Sequence, residues 1–505
     1  MRKLFAYLRP YWKSVLAIVA LLVVQAFCDL SLPTYTSDIV DVGIQQSGIS
    51  QVAPEQIRAD SLEKLMLFME DDQIALVQES YQPDENGDYQ LGDVDTEQLD
   101  ALNEAFALPM VMVLQAGQSS EMDLDALQLA VENGMVSRDE LLDMMDEAVA
   151  EYGITADSSM VQQVAVQYVR AEYEAMGVNM DQLQMHYLLV TGGKMLGLSV
   201  LMMGAAILAS LMASRTAAHL GMELRGRVFS KVVSFSSAEV DRFSTASLIT
   251  RSTNDIQQVQ MVMVMLLRMV LYAPVLGIGG IIRVASTRTG LGWIIGVAVG
   301  ASLMLVGILV SLAMPYFKKM QTLVDRLNLV SREILTGLPV IRAFSRERYE
   351  EERFDKANRD LMSTQLFTNR VMTFMMPGMM LIMNGVTLLI VWFGAQGIDL
   401  GTMQVGDMIA FITYTMQIVM SFLMLTMISV FLPRAGVAAE RIEEVLDTPL
   451  TLHDPAENRD GSLEEKGVVS FEDVSFRFPG GDADALSHIT FTARPGQTTA
   501  IIGST

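Results

Sequence analysis

The sequence predicts a polytopic α-helical membrane protein that carries an inserted acidic helical domain and the opening of a β-rich C-terminal domain. Three observations predict it. Six apolar runs of 21 to 26 residues recur along the 505-residue chain, and about 20 apolar residues in a helix cross a hydrocarbon core of about 30 Å. Charge is segregated: residues 44–187 hold 29 Asp+Glu against 4 Lys+Arg, a balance of -25, while the remainder sums to +1. After residue 466 the apolar period shifts from helical spacing to two.

The runs lie at 14–34, 188–212, 261–282, 291–314, 371–396 and 407–432. In lipid, where no water satisfies the backbone, a helix is the open-chain solution. The basic start MRKLFAYLRPYWK resembles a signal peptide, but no small-residue cleavage site follows it, so the first run reads as a retained span. Lys and Arg number four in 1–13, six in 213–260 and eleven in 315–370, against two in 283–290 and none in 397–406. The positive-inside rule therefore places both termini and the two long loops in the cytoplasm, and residues 44–187 outside. The net charge of -24 excludes a generic nucleic-acid binder. Cys28 is the one cysteine, which excludes an intramolecular disulfide and a Cys-rich zinc module.

The acidic block reads as helical. Ser137-Arg-Asp-Glu140 is a capping box followed by Leu141, Leu142 and Met145 at helical spacing, with Gly153 at the stop. A second helix starts at Ser158 or Ser159 and ends before Gly177. Asp84, Asn86, Asp88 and Asp95 occupy EF-hand-like positions, but Tyr89 stands where the sharp turn needs Gly, so a solvated loop is expected and no metal site is assigned. His186 and His219 are isolated. Each long cytoplasmic loop reads as a helix pair with a bent tip, one broken within SFSSAEVDRFSTAS and the other at Gly337 and Pro339. RIEEVLDTP reads as a short charged helix after Pro433. Val469, Phe471, Val474, Phe476 and Phe478 form one strand, HITFTA a second and TTAIIG a third, running into Gly503.

Polar groups inside apolar runs are costly and mark either a translocation path or helix-to-helix hydrogen bonds. Gln25, Arg268, Asn384 and Gln417 are the path candidates, with Asp29 beside them; Arg268 equally suits a position near the inner interface. The 38 methionines suit soft apolar binding, lipid-facing filler or, least of all, a soft-metal path.

Several stretches together resemble the subunit of a bacterial ABC exporter of multidrug type, over residues 1–43 and 188–505. LPTYTSDIVDVGI resembles the end of that family's first span, and the opening also looks like the paired, heterodimeric exporters of Gram-positive bacteria. FSSAEVDRFSTASLITRSTNDI resembles the first intracellular loop, SREILTGLPVIRAFSRE the second, and QVGDMIAFITY the start of the sixth span. VSFEDVSFRFPGG with ALSHITFTARPGQTTAIIGST resembles the leading strands of the ATP-binding domain.

The resemblance implies six exporter-type spans, a start of an α/β nucleotide-binding domain, ATP with Mg2+ as cofactors and a second exporter subunit as partner. It implies coupling roles for Ser237, Ala238, Glu239, Asp241, Arg242, Gly337 and Leu338. It implies an adenine stack on Phe478, where the family usually has Tyr, and the start of a phosphate loop at Gly503, Ser504 and Thr505. That loop needs G-x-x-x-x-G-K-S/T, so its Lys and the catalytic carboxylates lie beyond Thr505 and no catalytic residue is assigned. The expected division is 1–43 for the N-terminal helix and first span, 44–187 for the acidic domain, 188–435 for spans two to six, 436–466 for a linker and 467–505 for the ATP-binding fragment. The expected function is export of amphipathic or apolar small molecules by a multi-pass protein of the bacterial cell membrane; the rival is a receptor or scaffold that presents an acidic ectodomain.

Overall fold

The computed structural model describes the chain except residues 1–6, 85–86, 119–123, 133–134, 144, 146–157, 288–289, 453–466, 479–480 and 504–505. The chain divides into two compact units: Lys13–Ala213 with Met265–Val430, and Met1–Trp12 with Ser214–Val264 and Phe431–Thr505.

In the first of these, α1 (Trp12–Asp38) continues into a π-helical turn, Ile39–Gln45. The acidic domain follows. It holds β1 (Gln56–Ile57), α2 (Ala59–Met66), α3 (Asp71–Ser80), β2 (Tyr81–Pro83), β3 (Tyr89–Leu91), α4 (Thr96–Gln118), α5 (Leu124–Glu132) and α6 (Ser159–Ala175). The helical expectation is therefore incomplete: a three-stranded antiparallel sheet, ordered β1-β3-β2, is also present. The loop around Asp84 and Asp88 closes the β2–β3 hairpin, with Asp84 N–H donating to the Asp88 carbonyl at 2.7 Å. Asn86 and most of the helix expected after Ser137 lie outside the described residues.

The domain has its own core, built from Leu62, Leu65, Met69, Val77, Leu102, Phe106, Met110, Val161 and Val169. Among the described residues seven helices are long and apolar enough to cross a membrane, and α4 is the unexpected one. Its apolar face packs into this core, which accounts for the hydropathy without a span. An ion pair on a buried carboxylate fixes α6: Glu172 accepts from Arg58 Nη2 at 2.8 Å, Arg58 Nε at 2.9 Å, Arg58 N–H at 3.0 Å and Ser61 Oγ at 2.9 Å. Burial opposes the Glu172 charge, and the Arg58 bonds overcome it, so its carboxyl sits below the usual range. Ser158 caps α6, its Oγ accepting from Val161 N–H. Burial raises the Tyr173 hydroxyl, in the same helix, to about 12.

α7 (Met180–Val233) is a single 54-residue helix; at 1.5 Å per residue it is about 80 Å long. The turn that leaves Ile39–Gln45 packs against α7 and needs Gly48, whose φ is +86° and whose added Cβ would lie 2.9 Å from the Gln184 backbone. α8 (Ser237–Phe243), α9 (Thr245–Thr250), a π turn at Arg251–Asp255 and α10 (Ile256–Met265) lead through a second π turn, Leu266–Val270, to α11 (Leu271–Ser286).

α12 (Gly292–Ala343) and α13 (Glu347–Thr373) form a hairpin, bound by the Arg353–Glu333 ion pair and by Tyr316 against Phe367 at 4.2 Å. The break expected at Gly337 and Pro339 is absent: α12 runs through both. Pro339 stands one turn before the helix end, so it costs one hydrogen bond, while α13 holds the rest in place. The reversal falls at 344–346, where Ser345 takes φ +53° and Arg346 N–H donates to the Ile341 carbonyl at 3.0 Å.

α14 (Met375–Asp399) and α15 (Val405–Leu446) complete the helices. α15 is continuous through Pro433, so RIEEVLDTP is its last turns rather than a separate helix, and the expected boundary at 435 falls inside it. β4 (Val469–Phe476) and β5 (Leu486–Ala493) pair antiparallel, with Phe471 stacked on Phe491 at 4.7 Å. TTAIIG is not a strand in the structure: among the described residues nothing pairs with it, and Ile501 and Ile502 are exposed.

Candidate functional site: the coupling segment

α8 is a two-turn helix set by its first residue. Ser236 and Glu239 make a capping box: Ser236 N–H donates to Glu239 Oε2 at 2.6 Å, and the Ser236 hydroxyl donates to the same oxygen. Glu239 does more than cap. Its Oε1 accepts from Thr451 N–H at 2.8 Å, and Ser236 Oγ meets Thr451 Oγ1 at 3.1 Å. Thr451 lies on the stretch that follows α15, so one carboxylate holds the start of α8 and the segment leading toward β4. The hydroxyl of Ser236 first, and then Thr451, hold the Glu239 carboxyl down to about 2.

The other buried residue of α8 is Phe243, one turn on. It stacks on Phe235 at 6.0 Å, and the Arg251 guanidinium lies 4.8 Å from its ring centre. Arg251 also donates to Ser247 Oγ at 3.1 Å, to the Arg441 carbonyl at 2.8 Å and to Glu444 Oε2 at 2.7 Å. Arg441 and Glu444 are on the last turns of α15. Thus Glu239 and Arg251, twelve residues apart in sequence, both grip the C-terminal end of α15 and its exit.

Of the predicted coupling residues, Glu239 is buried and Ala238 half-buried, while Ser237, Asp241 and Arg242 are exposed, the Arg242 guanidinium lying 5.5 Å from the Phe243 ring centre. Their alternation follows helical geometry: positions 239 and 243 face inward and the charged face is left open. Gly337 and Leu338 are half-buried in α12, not in a short coupling helix of their own. Leu338 lines a groove of about 520 Å³ with Ile334, Ile341 and Phe354, next to Glu350 and Arg342.

The path candidates separate into two sets. Gln25 and Gln417 come together around Asp29 and Tyr272. Tyr272 Oη donates to Asp29 Oδ2, Gln25 hydrogen-bonds Tyr272, and Gln417 Nε2 donates to the Asp29 carbonyl at 3.1 Å. Two close helix crossings, α11 on α15 and α11 on α1, hold this cluster. Side chains grown on Gly277, Gly279 and Gly280 would meet Ser421, Leu30 and Ile418 at 2.7, 2.5 and 2.7 Å. Arg268, in the π turn, and Asn384, on α14, are both exposed and stand apart from the cluster.

Phe478 is exposed and sits edge-on to Phe476 at 5.0 Å, just past β4. Gly503 lies on irregular chain; Ser504 and Thr505 lie outside the described residues. Sequence reasoning missed Thr451, Arg251, Glu444 and Tyr272. An Arg and a Tyr beside apolar runs are weak signals, and nothing local marks Thr451.

The ABC transporter transmembrane region matches residues 167–422, just over half of the chain. The chain belongs to the ABC transporter transmembrane family. It is 40% identical over 314 residues, 62% of this chain and 54% of the relative, to an ABC transporter ATP-binding protein of Mycobacterium bovis. It is 34% identical over 318 residues, 63% and 55% of the two chains, to a Bacillus subtilis protein of the same description. It is 26% identical over 304 residues, 57% and 47%, to the ATP-dependent lipid A-core flippase of Aromatoleum aromaticum. The chain thus spans about half the length of the curated relatives it matches. It is a multi-pass membrane protein.

Proposed function

We propose that this chain is one half of a dimeric exporter that uses ATP and Mg2+ to move amphipathic or apolar small molecules across the bacterial cell membrane by alternating access. The observation that carries the proposal is the tie of α8 to the end of α15 through Glu239–Thr451 and Arg251–Glu444. The open face of Ser237, Asp241 and Arg242 receives the push of a closing ATP-binding domain. The anchored face, Glu239 and Phe243, passes it to α15 as one body, the rigid-body mode of switching. The relatives' ATP-binding descriptions support the energy source. The flippase among the relatives keeps lipid cargo within the class considered.

On this reading both termini are cytoplasmic and residues 44–187 are extracellular, as the Lys and Arg distribution supports. The partner is a second, different exporter subunit; a stable and active dimer of this chain alone would contradict that. The acidic domain acts as an electrostatic cap over the outer mouth. Its effect fades at high salt, because screening shortens the reach of exposed charge to about 10 Å at 0.1 M. Replacing residues 50–184 with a short Gly/Ser linker tests it: export and its salt dependence change if the cap acts, and match the parent if it does not.

The nucleotide assignment is tested by Phe478→Ala in the complete protein. Stacking of an aromatic ring contributes about 1 kcal/mol, so nucleotide binding weakens several-fold. Unchanged affinity sinks the adenine-stacking role of Phe478.

A further inference from the structure

We propose that Asp255 and Arg441 are the two halves of an ion pair that is open in this structure and closes in the second state of the coupling segment, where Asp255 positions α10 against the end of α15. The inference deepens the coupling reading above, on which it rests, by naming the contact that holds the alternate state.

Asp255 closes the π turn Arg251–Asp255 and is 9% exposed. Its Oδ2 is enclosed and has no hydrogen-bond partner among the described residues. Burying a carboxylate oxygen costs hydration that only a donor restores. An enclosed acceptor without one is uncommon in folded proteins and calls for an explanation. Arg251, one turn earlier, does not supply it: its guanidinium is spent on Ser247, the Arg441 carbonyl and Glu444.

The complement stands beside the same anchor. Arg441 is exposed, and its carbonyl accepts from Arg251 Nη1 at 2.8 Å. Among the described residues its own guanidinium makes no ion pair and no hydrogen bond; the pair at this end of α15 runs between Arg251 and Glu444. Arg441, ahead of Arg251, is the cation that acts most strongly on the Asp255 carboxyl. An enclosed acid and an unspent guanidinium are therefore held around one arginine without touching. A guanidinium carries five N–H donors and meets a carboxylate two bonds at a time, so closing this pair would fill Oδ2.

The local fold provides the movement. α10 is bracketed by two π turns, Arg251–Asp255 and Leu266–Val270. A π turn holds one residue more than an α-helix needs and is frequent at functional sites. Passing from π to α shifts the adjoining helix by one residue, about 1.5 Å and about 100°. There is room for such a turn. Ile256, Val259 and Val262 are buried on one face of α10, while Gln257, Gln260 and Met261 on the other line a cavity of about 410 Å³ with Arg225 and Thr253.

The test reads amide hydrogen exchange over residues 256–260 in the complete protein with its partner, at rest and after trapping with Mg2+, ATP and vanadate. In the resting form Arg441→Gln should stay within about three-fold of the parent. In the trapped form it should speed exchange about ten-fold or more, the worth of a hydrogen bond to a charged group. Arg441→Lys, which keeps the charge without the planar fork, should fall between. Asp255→Asn should repeat the pattern, and the double variant should be no worse than the worse single one. Arg441 is exposed, so its variants report even where Asp255→Asn fails to fold. An Arg441→Gln effect equal in the two forms, absent from the trapped form, or additive with Asp255→Asn overturns the proposal. A parent whose exchange is unchanged by trapping has no second state of the segment and also overturns it. Export is scored on the parent alone, as ATP-dependent uptake of the dye Hoechst 33342 into inverted vesicles. No uptake with the expected exchange pattern removes the export reading and leaves the pair; uptake with exchange that ignores Arg441 removes the pair and leaves export.

Discussion

Arg251→Ala should unlock the coupling segment. The guanidinium is 13% exposed and makes three kinds of contact. Its bond to the Arg441 carbonyl, at 2.8 Å, is a hydrogen bond from a charged donor and contributes about 1.5–2 kcal/mol. Its position 4.8 Å from the Phe243 ring centre adds about 0.5–1 kcal/mol. The pair with Glu444 is discounted, because that carboxylate is 47% exposed, and counts for about 0–1 kcal/mol. The sum is about 3 kcal/mol, or roughly a hundred-fold in the local opening equilibrium at about 1.4 kcal/mol per decade. Amide hydrogen exchange reads this directly at Val240, Ser244 and Leu248, whose N–H groups bond to the Ser236, Val240 and Ser244 carbonyls. Those amides should exchange about a hundred-fold faster in the variant, and Arg251→Lys, which keeps the charge but not the planar fork, should fall between. Exchange within about three-fold of the parent would show that the segment is held by other means and refute the argument.

Glu239 supplies a pH signature. Its carboxyl is held at about 2 in the fold against an ordinary 4.5, so the folded state favours the charged form; the stabilisation is complete above pH 4.5 and is lost as pH falls through 4.5 toward 2. Protease sensitivity of the 447–452 stretch should rise over that window and lose its pH dependence in Glu239→Gln. Glu172→Ala removes the carboxylate that accepts from Arg58 and Ser61; because the Arg58 guanidinium is 45% exposed and can turn to water, the cost is about 1–3 kcal/mol, and thermal unfolding of the acidic domain should shift down accordingly. Gly401→Ala forces a side chain at φ +69° with its Cβ 2.7 Å from that of Met160. It should release the start of α6 by about 1–3 kcal/mol of strain, seen as faster exchange at Ser159 with the domain core unaffected.

The spans were legible because the signal is local and large: a chain rarely strings together enough apolar residues to cross lipid unless it does cross. The same signal recurs in miniature at α4, whose run ALPMVMVL the sequence reading did not count among the spans. Asp100, Asn103 and Glu104 flank it, and Asn103 spends its Oδ1 on the Val52 and Ala53 N–H groups at 2.9 and 3.0 Å. That is a domain-core helix, and only its tertiary neighbours say so. The hinge expected at Gly337 and Pro339 failed because helix-breaking rules describe an isolated helix, whereas α12 is braced along α13. For the candidate site, the capping box at Ser236 was readable four residues at a time. Its tether was not: Glu239 and Thr451 are 212 residues apart. Asp29 announced itself as a charge in an apolar run, but its partner Tyr272 is 243 residues away and inconspicuous.

The acidic domain also touches the turn after α14. Ser159 N–H donates to the Gly401 carbonyl at 2.9 Å, and Ser159 Oγ to the Met403 carbonyl at 3.3 Å. The second of these joins residues 244 apart, and closing so long a loop is slow compared with forming a local turn. The core of the acidic domain, by contrast, draws on residues 49–183 alone, all synthesised before residue 401. The domain can therefore finish folding while the last two apolar helices are still being made, and then stand as a ready surface that receives the turn between them. A defect at this contact would leave the acidic domain intact and show itself late in biogenesis, as α14 and α15 failing to settle.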